Sequence, residues 1–345
     1  MRFKRISYNV STMPLGKVSV RWASGFRLNS VGLVCLFTLG VVAVGLAQQS
    51  RPGEVDSTAV DVENTSVLLN PQDASQTAVG DFRYAGGVAI SARDTEQLHG
   101  LSDLEIAGTD RLIAVGDLGI LLEARLIFDA AGRLAGLADA RITRLRDEDG
   151  TLPSDKTDVD AEGLALMPGG DRLVSFERRH RILLYPAGGG APRRVSAPAE
   201  AFPPNAGMEA LAADPEAGED AYLVGAEESG STWSCRAAAA CIQGPSVEKP
   251  AEFGLVAMRR LARGQSAYLL RAYDEVRGVR VSLRIVGAGK IVAEMDLTAP
   301  LTVDNFEGLG AEQRSDGGYR FYLLSDDNAS PTQRTLLLAF DWRPR

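Results

Sequence analysis

An internal repeat limits the possible folds of this chain more than any other feature. An acidic turn followed by a short apolar run recurs four times, as HGLSDLE from His99, DAEGLAL from Asp160, NAGMEALA from Asn205 and DNFEGLG from Asp304. A second apolar run follows each copy and ends on another acidic residue. Glu162 and Glu209 are 47 residues apart, and 98 residues, about two such periods, separate Glu209 from Glu307. One degenerate unit is therefore expected between residues 250 and 305.

That interval contains four apolar runs typical of strands, at residues 255–258, 267–270, 279–286 and 290–293. A period of about 40–50 residues with four strands per unit is typical of a β-propeller. We therefore predict an all-β fold, a β-propeller of five or six four-stranded blades. Residues 81–84 or 88–90 are expected to pair with residues 336–340 and close the ring. A β-sandwich is the alternative, but it does not require a repeat of this length.

The N-terminal segment has the pattern of a targeting signal. Residues 1–47 contain six basic and no acidic residues, and residues 31–47 are uncharged and apolar. Small residues precede Gln48, which favours cleavage after Ala47 over a retained membrane anchor. In either case the rest of the chain is expected outside the cytoplasm, in the periplasm or secreted. Residues 48–80 are polar and are interpreted as a flexible acidic linker, so the domain is predicted to span residues 81–345.

Charge and cysteine content agree with export. The formal charge is -8, and without the basic N-terminal segment it becomes -14. This charge argues against nucleic-acid binding, which needs a basic face. Cys235 and Cys241 are the only cysteines after residue 47. We predict that they form a local structural disulfide in an oxidising compartment, because an isolated pair without nearby histidines is a poor zinc site.

The order of the motifs resembles a known family. DAEGLAL, SFERRHRI, NAGMEALA, DNFEGLG and the closing LLSDDNASPTQRTLLLAF resemble the phytase-like family, described as having esterase-like activity of phytase. The resemblance extends from about residue 84 to residue 342. It implies a propeller-like domain outside the cytoplasm with phosphoesterase activity.

The repeated acidic residues predict a cation site. Turns at one end of the inner strands share one face of a propeller, so Glu162, Glu209 and Glu307 should converge there. Asp326 belongs to a second set, with Asp117, Glu177 and Glu227, that faces the same mouth or the opposite one. Carboxylates without histidine or cysteine favour Ca²⁺. We predict that Ca²⁺ binds to some of Glu162, Glu209, Glu307 and Asp326. Alternatively, these side chains accept hydrogen bonds within their turns.

Candidate residues for phosphate binding are basic. Arg178, His180 and Arg181 follow the strand-end Glu177, and Arg334 follows the turn of residues 325–328. Such side chains bind phosphate through charge-assisted hydrogen bonds. The alternative is that they are solvated charges on a β-turn. His99 is expected to satisfy a turn carbonyl, and no G-x-S-x-G or H-E-x-x-H motif is present.

Two functions of different class remain. One is a calcium-assisted phosphoesterase acting on a small-molecule phosphate ester, and the other is a non-catalytic propeller that binds a ligand or partner on the same face. We expect a monomer that does not bind nucleic acid. Membrane association is expected only if the N-terminal segment is retained.

Overall fold

Strands form nearly all the regular structure of residues 57–344, the part of the chain that the computed structural model describes. The exception is one helical turn, α1 (Lys156–Val159). No helix in this part has the length and apolar character needed to cross a membrane. The first strands are β1 (Ser57–Ala59), β2 (Val62–Ser66), β3 (Ala78–Val79) and β4 (Phe82–Ala92).

Four groups of four antiparallel strands follow, and the strands of each group pair in chain order. Blade 1 contains β5 (Leu101–Ala107), β6 (Arg111–Gly116), β7 (Ile120–Phe128) and β8 (Leu134–Arg144). The last strand of this first group, β8, also pairs with β4. Blade 2 contains β9 (Ala161–Leu166), β10 (Arg172–Phe176), β11 (Arg181–Tyr185) and β12 (Arg193–Val195). Blade 3 contains β13 (Ala210–Ala213), β14 (Ala221–Gly225), β15 (Thr232–Arg236) and β16 (Ala239–Gln243). Blade 4 contains β17 (Gly254–Arg260), β18 (Ser266–Asp274), β19 (Gly278–Gly287) and β20 (Lys290–Leu297).

The fifth blade combines strands from the two ends of the described chain. It contains β21 (Phe306–Gln313), β22 (Tyr319–Ser325), β23 (Thr335–Trp342) and β4. β23 is antiparallel to β4, with Leu336 opposite Ala89 and Phe340 opposite Tyr84, which confirms the predicted closure. The inner strands β5, β9, β13, β17 and β21 each contact the next, and β21 contacts β5. The described residues therefore form a five-bladed β-propeller.

The apolar core lies between the blades. Five clusters of buried apolar side chains occur among the described residues, and each draws mainly on two adjacent blades. Leu283 of blade 4 and Phe321 of blade 5 share one cluster, and Leu173 of blade 2 and Tyr222 of blade 3 share another. Burial of these faces stabilises the ring as a whole, because no blade covers both of its own faces.

The segment interpreted as a flexible linker is in part folded. β1 pairs with β8, and β2 and β3 pair with β4. Asn64 receives a hydrogen bond from the Leu137 backbone N–H at 2.8 Å and returns one to its carbonyl at 3.0 Å. The linker prediction is therefore wrong for residues 57–80. Their polar composition reflects edge strands that are held by backbone pairing and face solvent. The predicted signal segment and residues 48–56 lie outside the described residues.

The predicted disulfide is confirmed. Cys235 on β15 and Cys241 on β16 are bonded across adjacent strands of blade 3. The bond fastens the outer strand of that blade to its neighbour, and Cys235 itself is buried in the core between blades 2 and 3.

Candidate functional site

A β-bulge interrupts the start of the inner strand in four blades. On β9, Ala161 pairs with Phe176 and Leu164 with Val174, which leaves Glu162 out of register. On β21 the same irregularity leaves Glu307 between two paired residues, and on β5 and β17 it leaves Ser102 and Val256. A bulge redirects a side chain and is common beside functional sites. In blade 3, Glu209 directly precedes β13.

The glycines that follow two of these glutamates allow the inner strands to approach closely. A Cβ atom on Gly163 would lie 2.4 Å from the Glu209 carbonyl oxygen, and one on Gly308 would lie 3.1 Å from the Asp103 Cα. The glutamate-glycine pair of the repeat therefore has two functions. The glutamate is presented at the channel, and the glycine lets the neighbouring blade pack against it.

The second set of acidic residues lies at the same end of the blades as the first. Each residue of this set donates its backbone N–H to a carbonyl just before the inner strand of its own blade. The bonds are Asp117 to Gly100 (2.8 Å), Glu177 to Asp160 (2.8 Å), Glu227 to Gly207 (3.1 Å) and Asp326 to Asn305 (3.0 Å). The two sets thus share one end of the channel. We call it the acidic mouth, formed by Asp117, Glu162, Glu177, Glu209, Glu227, Glu307 and Asp326.

In blade 4 a basic residue takes the corresponding position. Arg271 follows Leu270, which pairs with Leu255 before the bulge of β17, just as Asp117 follows Gly116, which pairs with Leu101. Here the strand β18 continues beyond this position to Asp274.

Arg271 forms an ion pair with Glu307, donates to Asn305 Oδ1 at 2.6 Å and lies 3.4 Å from Glu227 Oε1. Arg271 was not among the predicted site residues, because the fourth unit lacks the acidic turn that marks the others. Alignment of the fourth unit with the other repeats could have found it, because Arg271 occupies the position of their second acidic residue.

Three carboxylates of blade 2 form a group with the spacing of a metal site. Asp160, Glu162 and Glu177 each offer one oxygen, and these oxygens lie within 4.8 Å of one another. Of the four predicted metal ligands, only Glu162 belongs to this group. Glu209, Glu307 and Asp326 line the mouth outside it. Asp160 and Glu177 were visible in the repeat but were not chosen as ligands.

Burial and mutual repulsion disfavour ionisation of these carboxyl groups. Burial raises the pKa of Glu177 to about 7, and the charge of Asp160 adds to the effect. Burial, followed by the charges of Glu307 and Asp160, raises the pKa of Glu162 well above its usual value. Burial and the charge of Glu307 raise the pKa of Asp326 to about 8. A bound cation would reverse these shifts by favouring the charged forms.

Among the three carboxylates of blade 2, Asp160 is the one that basic side chains contact directly. Lys156 of α1 lies 2.6 Å from Asp160 Oδ1 and 2.6 Å from Asp117 Oδ2. Arg178, in a left-handed backbone conformation (φ 55°), donates its Nε–H to the other Asp160 oxygen. In the described part of the chain, no basic side chain lies within 4.0 Å of Glu162 or Glu177. Glu162 and Glu177 therefore form no direct ion pair, although the charges of Arg178 and Lys156 oppose the rise in the pKa of Glu177.

The predicted phosphate-binding residues of blade 2 do not lie together. Arg178 is at the mouth beside Asp160, and its side chain is 39% exposed. Arg181 is only 1% exposed, stacks 4.2 Å from the Phe176 ring centre and donates to the Asp158 carbonyl at 2.7 Å. Its guanidinium is thus engaged in packing and in holding α1, which leaves it inaccessible to a phosphate.

His180 also has structural contacts. Its Nε2 lies 2.9 Å from the Pro203 carbonyl oxygen, and its ring packs edge-on against Phe202 with 5.4 Å between ring centres. These contacts attach the loop before β13 to blade 2. They hold the imidazole against this loop, and its Nδ1 makes no hydrogen bond within the described residues.

The fourth predicted residue, Arg334, lies near the mouth. Its Nε is 3.7 Å from Asp304 Oδ2, and the side chain is 52% exposed. It lines a cavity of about 1100 Å³ together with Arg271 and Glu227 of the ring. The structure therefore places Arg334, but neither Arg181 nor His180, beside an accessible space.

His99 contacts a carboxylate rather than the expected turn carbonyl. Its Nδ1 lies 2.7 Å from Asp327 Oδ2, which also accepts a hydrogen bond from the Thr335 hydroxyl at 2.8 Å. The Gly100 backbone N–H donates to the other Asp327 oxygen at 3.2 Å. Burial opposes ionisation of Asp327, but the bonds from His99 and Thr335 outweigh it and lower its pKa. This network joins blades 1 and 5.

A buried ion pair connects the inner strands below the mouth. Arg259 of β17 donates to Asp103 of β5 at 2.9 Å, and both residues are buried. Asp103 also accepts from the backbone N–H groups of Leu164 (2.9 Å) and Leu309 (3.2 Å), and Arg259 donates to the Leu211 carbonyl at 2.9 Å. Each of these three backbone groups lies two residues after a glutamate of the mouth. The pair therefore fixes the spacing of the three glutamates.

These features define a class: a five-bladed β-propeller with a carboxylate-rich site at one end of its channel. The family model described as "Phytase-like: Esterase-like activity of phytase" matches residues 96–329. The match covers all or part of every blade, and the chain belongs to this family. No curated protein matches the sequence.

The solved structures that are similar to this chain have low sequence identity to it. Virginiamycin B lyase from Staphylococcus aureus is 8% identical, with a TM-score of 0.43, and covers 82% of this chain and 100% of its own. A protein of unknown function from Bacteroides caccae is 12% identical, with a TM-score of 0.38, and covers 76% and 88%. The Dos1 propeller is 13% identical, with a TM-score of 0.34, and covers 83% and 73%. The five four-stranded blades and the closure of the ring carry the fold assignment.

Proposed function

We propose that this protein hydrolyses a phosphate ester at the acidic mouth with the help of a bound Ca²⁺ ion. The observation that carries the proposal is the group of Asp160, Glu162 and Glu177, whose oxygens lie within 4.8 Å of one another. Among the described residues, Glu162 and Glu177 have no basic side chain within 4.0 Å. The family description, esterase-like activity of phytase, supports the same class of reaction.

The donor set suits a hard cation. All three groups are carboxylates, and oxygen ligands favour Ca²⁺ or Mg²⁺ over a transition metal. Asp160, Glu162 and Glu177 would hold the ion. When bound, it would polarise phosphate oxygens and lower the pKa of a water molecule.

The side chains around the mouth have separate functions in this proposal. Arg178 is partly exposed beside Asp160 and donates charge-assisted hydrogen bonds to the phosphoryl oxygens. Arg334 provides a second guanidinium at the side of the mouth. Asp326 accepts the Asn328 N–H at 2.6 Å on Oδ1, so Oδ2 is free to carry a proton. As a carboxyl group at the mouth, it would be the candidate proton donor to the leaving oxygen.

The test is hydrolysis of phosphomonoesters and phosphodiesters by the purified exported protein, with calcium and with a chelator. We expect turnover that requires calcium and is strongly reduced in Glu162→Gln. The matched control is Glu63→Gln, which breaks an exposed ion pair on the edge strand β2 and should keep full activity. Folded protein with no turnover above a blank preparation, or turnover insensitive to chelator and to Glu162→Gln, would support the alternative, a non-catalytic binding propeller.

A further inference from the structure

A cleft opens beside the acidic mouth, between blades 4 and 5. It has a volume of about 1100 Å³, and its lining includes Arg271, Tyr273, Phe253, Asn305 and Arg334. We call it the side cleft. This volume is far larger than a phosphate group requires, so the space is suited to the organic part of a ligand.

The side cleft has an exposed aromatic wall. Tyr273 is 69% exposed, an unusual position for a large aromatic side chain. It lies opposite Val279 on β19, and Phe253 packs nearby under the Arg280 guanidinium, 5.2 Å from its ring centre. Tyr273 therefore presents a ring face that the rest of the described chain leaves open to solvent.

The tyrosine is placed at a defined distance from the mouth. Arg271 and Tyr273 are two residues apart on β18, so their side chains leave the same face of the strand. Two residues of a strand span about 7 Å. Tyr273 thus lies a short distance outside the edge of the mouth, which Arg271 marks.

The charges of the side cleft leave a guanidinium available for an anion. Glu227 is within 3.4 Å of Arg271, and Glu252 lies beside Arg277 and Arg280. Arg334, in contrast, has only a loose contact with Asp304, at 3.7 Å, and is half exposed. Its terminal nitrogens are therefore in a position to bind a phosphate.

We propose that the side cleft binds nucleotide-type phosphate esters, with the base stacked on Tyr273 and the phosphate held by Arg334 at the edge of the mouth. In a nucleoside monophosphate one sugar separates the phosphate from a planar ring, which suits a ring at Tyr273 and a phosphate at Arg334, both in the lining of the side cleft. Base stacking on an aromatic side chain provides affinity for the ring, and a guanidinium provides it for the phosphate. The assignment of such an ester as substrate rests on the proposed function, but binding itself does not.

The test is calorimetric titration of the full exported chain with three probes: adenosine monophosphate, ribose 5-phosphate and adenosine. We expect the monophosphate to bind most tightly. Tyr273→Ala should weaken its binding about tenfold and leave ribose 5-phosphate unaffected, whereas Tyr273→Phe should retain the affinity. Arg334→Gln should weaken binding of both phosphates but not of adenosine. Ile242→Ala, at an exposed apolar residue on the outer strand of blade 3, is the control and should change nothing.

The outcomes separate this inference from the proposed function. Equal affinity for adenosine monophosphate and ribose 5-phosphate, or unchanged monophosphate binding in Tyr273→Ala, would overturn the side-cleft assignment even if phosphate esters are hydrolysed. Tyrosine-dependent binding without any hydrolysis would support the assignment and refute the proposed function. Failure of all three probes to bind would overturn the assignment as well.

Discussion

Asp160, Glu162 and Glu177 lie close together, but their charges are compensated differently. Asp160 is held between Lys156 and Arg178, whereas Glu162 and Glu177 face other carboxylates. A buried carboxylate without a partner costs stability unless it is protonated or binds a cation. A substitution of Glu162 therefore tests cation binding without also breaking an ion pair.

Neighbouring arginines of blade 2 are predicted to behave differently when truncated. Arg178→Ala should lower kcat by about 10²–10³ with little loss of stability, because it removes an exposed donor at the mouth. Arg181→Ala should instead lower the free energy of unfolding by about 2–3 kcal/mol, because it removes a buried guanidinium that packs on Phe176. Steady-state kinetics and urea unfolding of both variants measure the contrast. A stable, inactive Arg181→Ala protein would contradict it.

The inner strands depend on the Asp103–Arg259 pair. Arg259→Met should destabilise the protein by about 3–5 kcal/mol, because it leaves the buried Asp103 carboxylate without its cation. Adding Asp103→Asn to that variant should recover part of the loss. The control is Arg125→Met, which breaks an exposed pair with Asp139 and should cost less than about 1 kcal/mol. Urea unfolding of the four proteins gives the comparison, and equal losses for the two arginines would refute the assigned role.

The sequence predicted the elements that repeat and missed those that do not. The period located the inner strands, the ring closure and the mouth glutamates, because each blade repeats the same backbone turn. Arg271 and Arg259 were missed, because they come from the blade whose acidic turn is absent. β1 to β3 were missed, because edge strands held by backbone pairing need no apolar pattern. The separation of Arg178 from Arg181 was also hidden, because Arg178 lies in the turn after β10 in a left-handed conformation, whereas Arg181 begins β11.

The whole molecule should become less stable as pH rises when no cation is bound. The pKa values of Glu177 and Asp326 are raised to about 7 and about 8, above the values of an unfolded chain. Each group therefore contributes stability that is fully present at acidic pH and is lost as pH rises through its folded value. In chelator, the melting temperature should fall between about pH 5 and pH 8. Calcium should reduce this fall, and a melting temperature that rises over the same range in chelator would contradict the prediction.

Export is predicted for the molecule as a whole. The mature chain should begin near Gln48 and lie outside the cytoplasm, since the preceding segment has the pattern of a cleaved signal. The disulfide between Cys235 and Cys241 agrees with an oxidising compartment. N-terminal sequencing of the protein recovered from the periplasm or medium checks this prediction. An intact Met1 form in the membrane fraction would replace cleavage with an anchor.

Direct calcium titration tests the central claim, that the group of Asp160, Glu162 and Glu177 binds a cation. Calorimetry of the metal-free protein should show one saturable calcium site. A hundredfold excess of calcium over its Kd should raise the free energy of unfolding by about 2.7 kcal/mol. Glu162→Gln should abolish both effects and remain folded in chelator, because the substitution removes a charge without changing the shape of the side chain. Unchanged calcium binding in Glu162→Gln, or no binding by the unmodified protein, would contradict the account.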